Sequence, residues 1–354
     1  MEALTDREGK QSNTSLEKEE ILRRESFPTN DDDQYHELPP TASAHTRVTY
    51  QAVEQAVFSQ AVKEAPGLDK LSFGVIWLLW KWDKERILKL TKAAIRSGRH
   101  PVVLKRPTRV VIRKPGKDDF TQLEANRSIS LLSCLGKLVD KVVADLLSEE
   151  AERRGLLSDG QFGSRKGRSA IDAVAIMVDR AHAAWKNGHI TGVLLMDIKA
   201  AFPSVPKGRL VNLMKVRQMD GDLIRWTESF LSERTVEMII EGNAMDRHPV
   251  EAGVPQGSPV SPILFAIFTS GLIKWVQEYV SEGEGQSFED DLGRVATGSD
   301  VNHVVTILER CAARSIEQPS RRGLQFETAG TQAALFTRTQ GHRNHLRPKL
   351  TAKI

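Results

Sequence analysis

Asp197 and, 93 residues on, Asp290 with its neighbour Asp291 are the residues whose types and spacing can do chemistry. Carboxylates gathered at one place repel one another, so a fold that brings three together usually supplies a cation. Aspartates delivered by two distant strands are what a two-Mg²⁺ site for nucleotidyl transfer requires. Asp197 closes the apolar run Val193, Leu194, Leu195 and Met196, the pattern of a strand buried on both faces. Pro203, just after Phe202, prevents simple continuation of that strand. A buried strand ending in one Asp is ordinary architecture; the second acidic stretch, Phe288-Glu289-Asp290-Asp291, gives it meaning.

Other segments can place a nucleotide and a polyanion around such a centre. Gly253 to Pro262 reads GVPQGSPVSP, a rigid turn in which Gly257 permits close backbone approach and Gln256 offers a donor and an acceptor. Ser258 followed by Pro259 fits a helix N-cap, opening an apolar helix to about Val280. Arg96 to Lys117 holds eight basic residues and no acidic one, with a strand at Val110–Ile112 and a hairpin turn at Lys114-Pro115-Gly116-Lys117. A cationic hairpin of this kind can grip phosphates. Arg127 stands before a helix running from Leu135 to about Arg154, where a guanidinium can reach a triphosphate. Gln161-Phe162-Gly163-Ser164-Arg165-Lys166-Gly167-Arg168-Ser169 is a basic, glycine-interrupted loop able to hold a template backbone, and Ser169 is its candidate N-cap. Taken singly, each basic residue reads equally well as solvated surface charge.

These 354 residues are ample for one large domain or several small ones, with 40% hydrophobic and 27% charged residues. Residues 1–50 hold 6 Lys/Arg against 11 Asp/Glu, leaving 44 against 35 for the remainder. The body is therefore basic behind an acidic leader, which favours a polyanionic partner. Cys134 and Cys311 have no paired spacing, as expected of an intracellular, reducing compartment without structural zinc. No apolar run approaches membrane-spanning length.

Residues 1–45 contain EKEE, DDD and Pro39-Pro40 and read as a disordered acidic leader. Leu71 to Ile95 reads as a long amphipathic helix whose Trp77, Trp80 and Trp82 pack in the core. Gly208 to Phe230 reads as helix, Val236–Glu241 as strand, Val301–Ile316 as helix and Leu324–Glu327 as strand. Residues 338–354 read as a basic tail.

From about Ala65 onward the motifs APGLD, RKPGK with NRSISLL, QFGSRKGRSA, LLMDIKAAF, GVPQGSPVSPILF and FEDDL stand in one order. In that order they resemble the reverse transcriptase of non-LTR (LINE-type) retrotransposons, those of fungal elements in particular. The resemblance implies an α+β right hand: fingers over about 65–190, a palm of antiparallel strands backed by helices over about 191–337, and a thumb missing or incomplete. It implies RNA-directed DNA synthesis from dNTPs on an RNA template and DNA primer, in nucleus or cytoplasm, with two Mg²⁺. One ion would activate the primer 3′-OH and the other hold the β/γ-phosphates. Asp197, Asp290 and Asp291 match the metal-binding aspartates, and Ile198 the position whose carbonyl faces the metal. Phe202 matches the gate excluding a ribose 2′-OH. Gln256 and Gly257 match the nucleotide pocket, Lys114 and Arg127 the triphosphate contacts. Gln161, Gly163, Arg165, Lys166 and Arg168 match the template-and-primer loop.

Three departures from the pattern stand out. Glu289 occupies a position usually small or apolar, Gly330 stands where a Lys is usual, and Pro319 interrupts the helix expected upstream. They favour, as an alternative, a folded relict that binds nucleic acid without synthesis. An RNA-dependent RNA polymerase is a further alternative, which Phe202 disfavours because an enzyme using rNTPs must leave room for the 2′-OH.

Overall fold

A computed structural model describes residues 3–6, 9–26, 48–116, 118–122, 125–321 and 324–338, the side chains of 25, 26, 127, 318–321, 328 and 329 excepted. The chain forms two compact units, one comprising 1–150 with 202–261 and the other 151–201 with 262–354.

The first unit is built on the sheet order β4-β3-β6-β7, formed by β3 (Thr108–Arg113), β4 (Asn126–Leu131), β6 (Arg234–Ile240) and β7 (Asn243–Val250). β3 pairs antiparallel with β4 and parallel with β6, so a basic strand becomes the inner strand of a mixed sheet. Its helices are α2 (Tyr50–Phe58), α3 (Phe73–Arg96), α4 (Cys134–Arg153), α6 (Lys207–Val216) and α7 (Gly221–Leu231). The helix expected over Gly208–Phe230 is two helices, because Gln218 adopts φ 55° and Asp220 caps α7 by accepting from the Asp222 amide. α3 bends at Asp83 (φ −145°, ψ 57°), whose carboxylate accepts from the Arg86 amide and so opens a second helical segment. Trp80 is buried and Trp77 donates to the Val57 carbonyl, whereas Trp82 is 86% exposed and lies outside the core expected for it.

Part of the expected leader is folded. β1 (Leu4–Thr5), β2 (Gln11–Ser12) and α1 (Ser15–Ser26) cover the end of β6, burying Leu4 and Leu22 with Met238 and Ile240. Lys18 pairs with Glu241 at 2.6 Å. The acidic run at 31–33 and the basic tail beyond 338 lie outside the described residues.

The second unit is an antiparallel sheet, order β10-β5-β9-β8. Its strands are β5 (Ile190–Lys199), β8 (Gly283–Phe288), β9 (Asp291–Gly298) and β10 (Gln325–Phe336), with helices α5 (Ala170–Lys186), α8 (Ser261–Thr269), α9 (Leu272–Tyr279) and α10 (Val301–Arg321). α10 continues through Pro319, where a break was expected. β5 is central, which is why its apolar run is continuous. α10 covers one face, where Val304 and Leu308 fill the space beside Gly192. α5 lies on the other, with Met177 against Gly293. The glycines of β8 make room for neighbours: a Cβ on Gly283 would sit 2.3 Å from the Cys311 sulfur, and one on Gly285 would overlap the buried Arg294 guanidinium. Among the described residues no helix is long and apolar enough to cross a membrane.

Candidate active site

The acidic centre belongs to the second unit and is set by strand register. Asp197 pairs with Asp291 on β9 and, across its other edge, with Glu327 on β10. Cross-strand partners project from the same face, so three carboxylates occupy one rung, at the strand ends beyond α5. Like charges placed directly opposite destabilise a sheet, so the rung has no structural rationale of its own.

β8 and β9 are joined by a two-residue turn, Glu289-Asp290, closed by the Phe288–Asp291 pair. Glu289 has φ 54° and is therefore a turn residue; alternation along a strand, which would point it away from Asp290, does not apply. The Asp290 carbonyl accepts from the Ile198 amide at 3.2 Å, pinning the turn to β5 immediately beside Asp197. The Glu289 carboxyl is pushed up by the protein crowding it and by the Asp290 and Asp291 charges, and Asp291 is pushed up by burial and by Asp290. The centre is thus short of positive charge.

β10 carries an insertion here: residues 328–331 stand opposite the single residue between Asp197 and Leu195. Gly330 lies in this bulge, and a Cβ on it would stand 3.6 Å from an Asp197 carboxylate oxygen, ordinary contact distance. Gly330 therefore faces Asp197 and brings no ammonium to it. Hard carboxylate oxygens from Asp197, Asp290 and Asp291 suit a magnesium-type ion in kind and in backbone placement. Among the described residues, however, no three His, Cys, Asp or Glu side chains converge closely enough to hold one ion.

The loop of residues 160–163 runs beside β8 as a short parallel strand. The Phe162 amide donates to the Ser287 carbonyl and the Ser287 amide to the Gly160 carbonyl, both at 2.8 Å. Gln161 is 4% exposed and donates to the Ala266 carbonyl. Gly163 touches the hairpin turn, its missing Cβ falling 2.3 Å from the Glu289 nitrogen. Arg165 grips Glu152 with two nitrogens and donates to the Ser158 and Gln161 carbonyls. Lys166 is exposed, and Arg168 stacks over Phe162 while bonding the Asp159 carbonyl. Ser169 caps α5 in a reciprocal box with Asp172, as expected.

The remaining expected residues lie in the first unit. Phe202 is half-buried, and its carbonyl accepts from the Val254 amide at 2.8 Å, tying it to the turn that carries Gln256. Gly257 adopts φ 107° and approaches β4 so closely that a Cβ would lie 2.8 Å from the Ser130 carbonyl oxygen. Gln256 borders a shallow cleft that Arg109, Ser130, Pro203 and Arg234 also line. Burial lowers the Arg109 and Arg234 guanidiniums to about 10, and Arg234 is held by the Leu231 and Ala252 carbonyls. Lys114 follows β3, its amide donating to Ala125, and is half-exposed. Arg127 pairs with Ile112 through the backbone; its side chain lies outside the described residues, as does Lys117. Of the basic segment, Lys105 and Arg109 turn inward: Lys105 bonds the Ser229 and Ser232 carbonyls.

Sequence reasoning missed Glu327, Asp140 and Arg234. The alternation of Phe326, Glu327 and the residues of β5 gives the only hint of the first; the other two announce themselves only through tertiary burial.

The model of the reverse transcriptase (RNA-dependent DNA polymerase) family matches residues 112–334. A probable RNA-directed DNA polymerase from transposon BS of Drosophila melanogaster is 27% identical over 64% of this chain and 25% of its own length. The RNA-directed DNA polymerase from mobile element jockey of the same organism is 28% identical over 73% of this chain and 30% of its own. The chain thus spans less than a third of the length of these curated relatives. A solved apo telomerase from Candida tropicalis superimposes with TM-score 0.49 at 13% identity, covering 78% of this chain and 59% of that one.

Proposed function

The chain belongs to the reverse transcriptase (RNA-dependent DNA polymerase) family, and from that premise we propose that it descends from, and serves as, the DNA-synthesising part of a non-LTR retrotransposon protein. The observation that carries the reading is the rung of Asp197 and Asp291 beside a tight turn bearing Asp290, inside the matched region. Asp197, Asp290 and Asp291, with the Ile198 carbonyl, would hold two Mg²⁺ only once their side chains turn in toward one another, and the bound ions would supply activation of a primer hydroxyl and neutralisation of phosphate charge.

The chain's own groups do the rest. Phe202 limits the space beside the sugar and so selects dNTPs. Gln256 and the exposed backbone at Gly257 contact the nucleotide, while Lys114 and Arg127 offset triphosphate charge. In the loop of residues 161–168, the exposed Lys166 is the side chain that would meet a template strand, while Gln161 and Gly163 pack against the β8–β9 hairpin, Arg165 holds Glu152 and Arg168 holds the Asp159 carbonyl. Primer extension on an RNA template with Mg²⁺ and the four dNTPs tests the reading. Templated DNA product that disappears in Asp197→Asn supports it, and RNA product from rNTPs in preference to dNTPs sinks it.

A second reading is favoured by Glu289 and Gly330, which add a carboxylate and omit an ammonium at the centre. On this reading the chain binds an RNA–DNA hybrid without extending it. Hybrid binding with no extension by the unaltered chain, and extension gained in Glu289→Val/Gly330→Lys, distinguishes the two.

A further inference from the structure

The turn from Pro255 to Ser258 is held from both ends. Upstream, the Gly253 amide donates to the Val205 carbonyl and the Val254 amide to that of Phe202. Downstream, the Ser258 hydroxyl donates to an Asp140 carboxylate oxygen at 2.6 Å and accepts from the Val260 amide, and Ser261 donates to the Pro255 carbonyl. Asp140 is 1% exposed, in the middle of α4, and Ser258 is 4% exposed. Gln256 is therefore suspended between Phe202 and a single buried carboxyl.

That carboxyl is an expensive way to hold a serine. Its second oxygen has no hydrogen-bond partner among the described residues and stands 3.8 Å from the His100 ring nitrogen. An amide of the same shape would accept the hydroxyl without burying charge. The groups facing Asp140 are His100 from the segment after α3, Lys137 one turn earlier on α4, and Ser258 from the turn. Lys137 is engaged by Glu64. His100 lies edge-on to Trp226 and Phe230 at 5.3 and 5.4 Å, and burial with nearby Lys105 lowers it to about 3, so it stays neutral. Burial pushes Asp140 up to about 7, against the pull of Ser258 and Lys137. Asp140 is thus the group of this cluster that changes charge near neutral pH.

We infer that Asp140 is a positioning residue for nucleotide capture: through Ser258 it fixes where Gln256 and Gly257 present themselves, and its charge state sets how firmly. Ionised, it makes a charge-assisted bond to the hydroxyl and tightens the turn; protonated, it makes a neutral one. The inference rests on the proposed contact between Gln256 and a nucleotide.

Equilibrium binding of dTTP to the full chain, from pH 6 to 8.5, tests it in the unaltered protein and in Asp140→Asn, Ser258→Ala, the double variant and Gln256→Ala. Asp140→Asn should weaken dTTP binding by about 3- to 10-fold at pH 8, the range set by one hydrogen bond, and flatten the pH dependence. Ser258→Ala should do the same, and the double variant should lose no more than either. Gln256→Ala should weaken binding while leaving the pH trend. If Gln256→Ala weakens binding but Asp140→Asn and Ser258→Ala keep the parent affinity and pH profile, the inference falls. If Gln256→Ala has no effect, or dTTP does not bind, the nucleotide reading falls, and the inference with it. Should Asp140→Asn fail to fold, Ser258→Ala alone decides, because it removes the same bond without altering α4.

Discussion

Replacing Glu289 by Gly should stabilise the second unit. Glu289 opens a two-residue hairpin at φ 54°, while Asp290, its partner in the turn, keeps a negative φ. These are the φ signs of a turn that normally takes Gly first. A side chain in the left-handed region costs about 1–2 kcal/mol, part of which Gly returns as extra freedom in the unfolded chain. A net backbone gain of about 1 kcal/mol remains, equivalent to a rise of about 2–4 °C in Tm for a unit of this size. Charge adds a pH-dependent part. Glu289 is raised in the folded state, so its ionisation opposes folding as pH climbs past the unfolded value. The gain should therefore be larger at pH 8 than at pH 4. Glu289→Ala separates the two contributions, since it removes the charge but keeps the strain. Thermal unfolding at both pH values should rank Gly above Ala by the backbone amount at each, with both variants gaining more at pH 8. A Tm for Glu289→Gly at or below that of the parent would refute the strained-turn reasoning.

Gly163→Ala should destabilise the same hairpin by about 1–3 kcal/mol, because its Cβ meets the Glu289 backbone, which cannot rotate away; denaturant unfolding checks this. Asp140 moves from 3.8 to about 7 on folding, so its contribution is complete below pH 4 and is lost as pH rises through 7. Stability measured between pH 5 and 8 should fall by on the order of 3 kcal/mol, and Asp140→Asn should flatten that slope. Binding to an RNA–DNA hybrid should weaken steeply between about 50 and 200 mM salt, and Lys166→Ala should reduce the slope by about one unit. Phe202→Ala should relax discrimination against rNTPs in an extension assay, and unchanged selectivity would remove Phe202 from the sugar pocket.

The chemistry was legible where the chain speaks in long apolar runs or rigid turns. β5 declares itself through Val193–Met196 because both its edges are paired and Val193, Leu194 and Met196 are buried, although Leu195 is 41% exposed; the Gly253–Pro262 turn declares itself through its prolines and glycines. β8 was not legible, since its GEGQSF composition answers to the volumes of Cys311 and Arg294 and not to strand propensity. The hairpin turn was hidden for lack of a Gly, since nothing in Phe288-Glu289-Asp290-Asp291 marks a left-handed residue. The inward turn of Lys105 and Arg109 was hidden because periodicity cannot tell a basic residue on a solvated face from a buried one. The folded start of the chain was hidden by its charge, Leu4 and Leu22 being too sparse to form a pattern.

The position of β5 in its sheet also governs the order in which the chain can fold. Both neighbours of this strand, β9 and β10, are made after it, and the nearer begins at Asp291, roughly 90 residues beyond Lys199. At about 5–20 residues per second on a ribosome, the interval is on the order of ten seconds. For that time the most apolar strand of the molecule has neither of its edges paired. Within its own unit, α5 is already synthesised and can shield one face of the sheet. The same central placement that carries Asp197 to the acidic rung thus makes the nascent chain most exposed to misassociation between the end of β5 and the arrival of the hairpin.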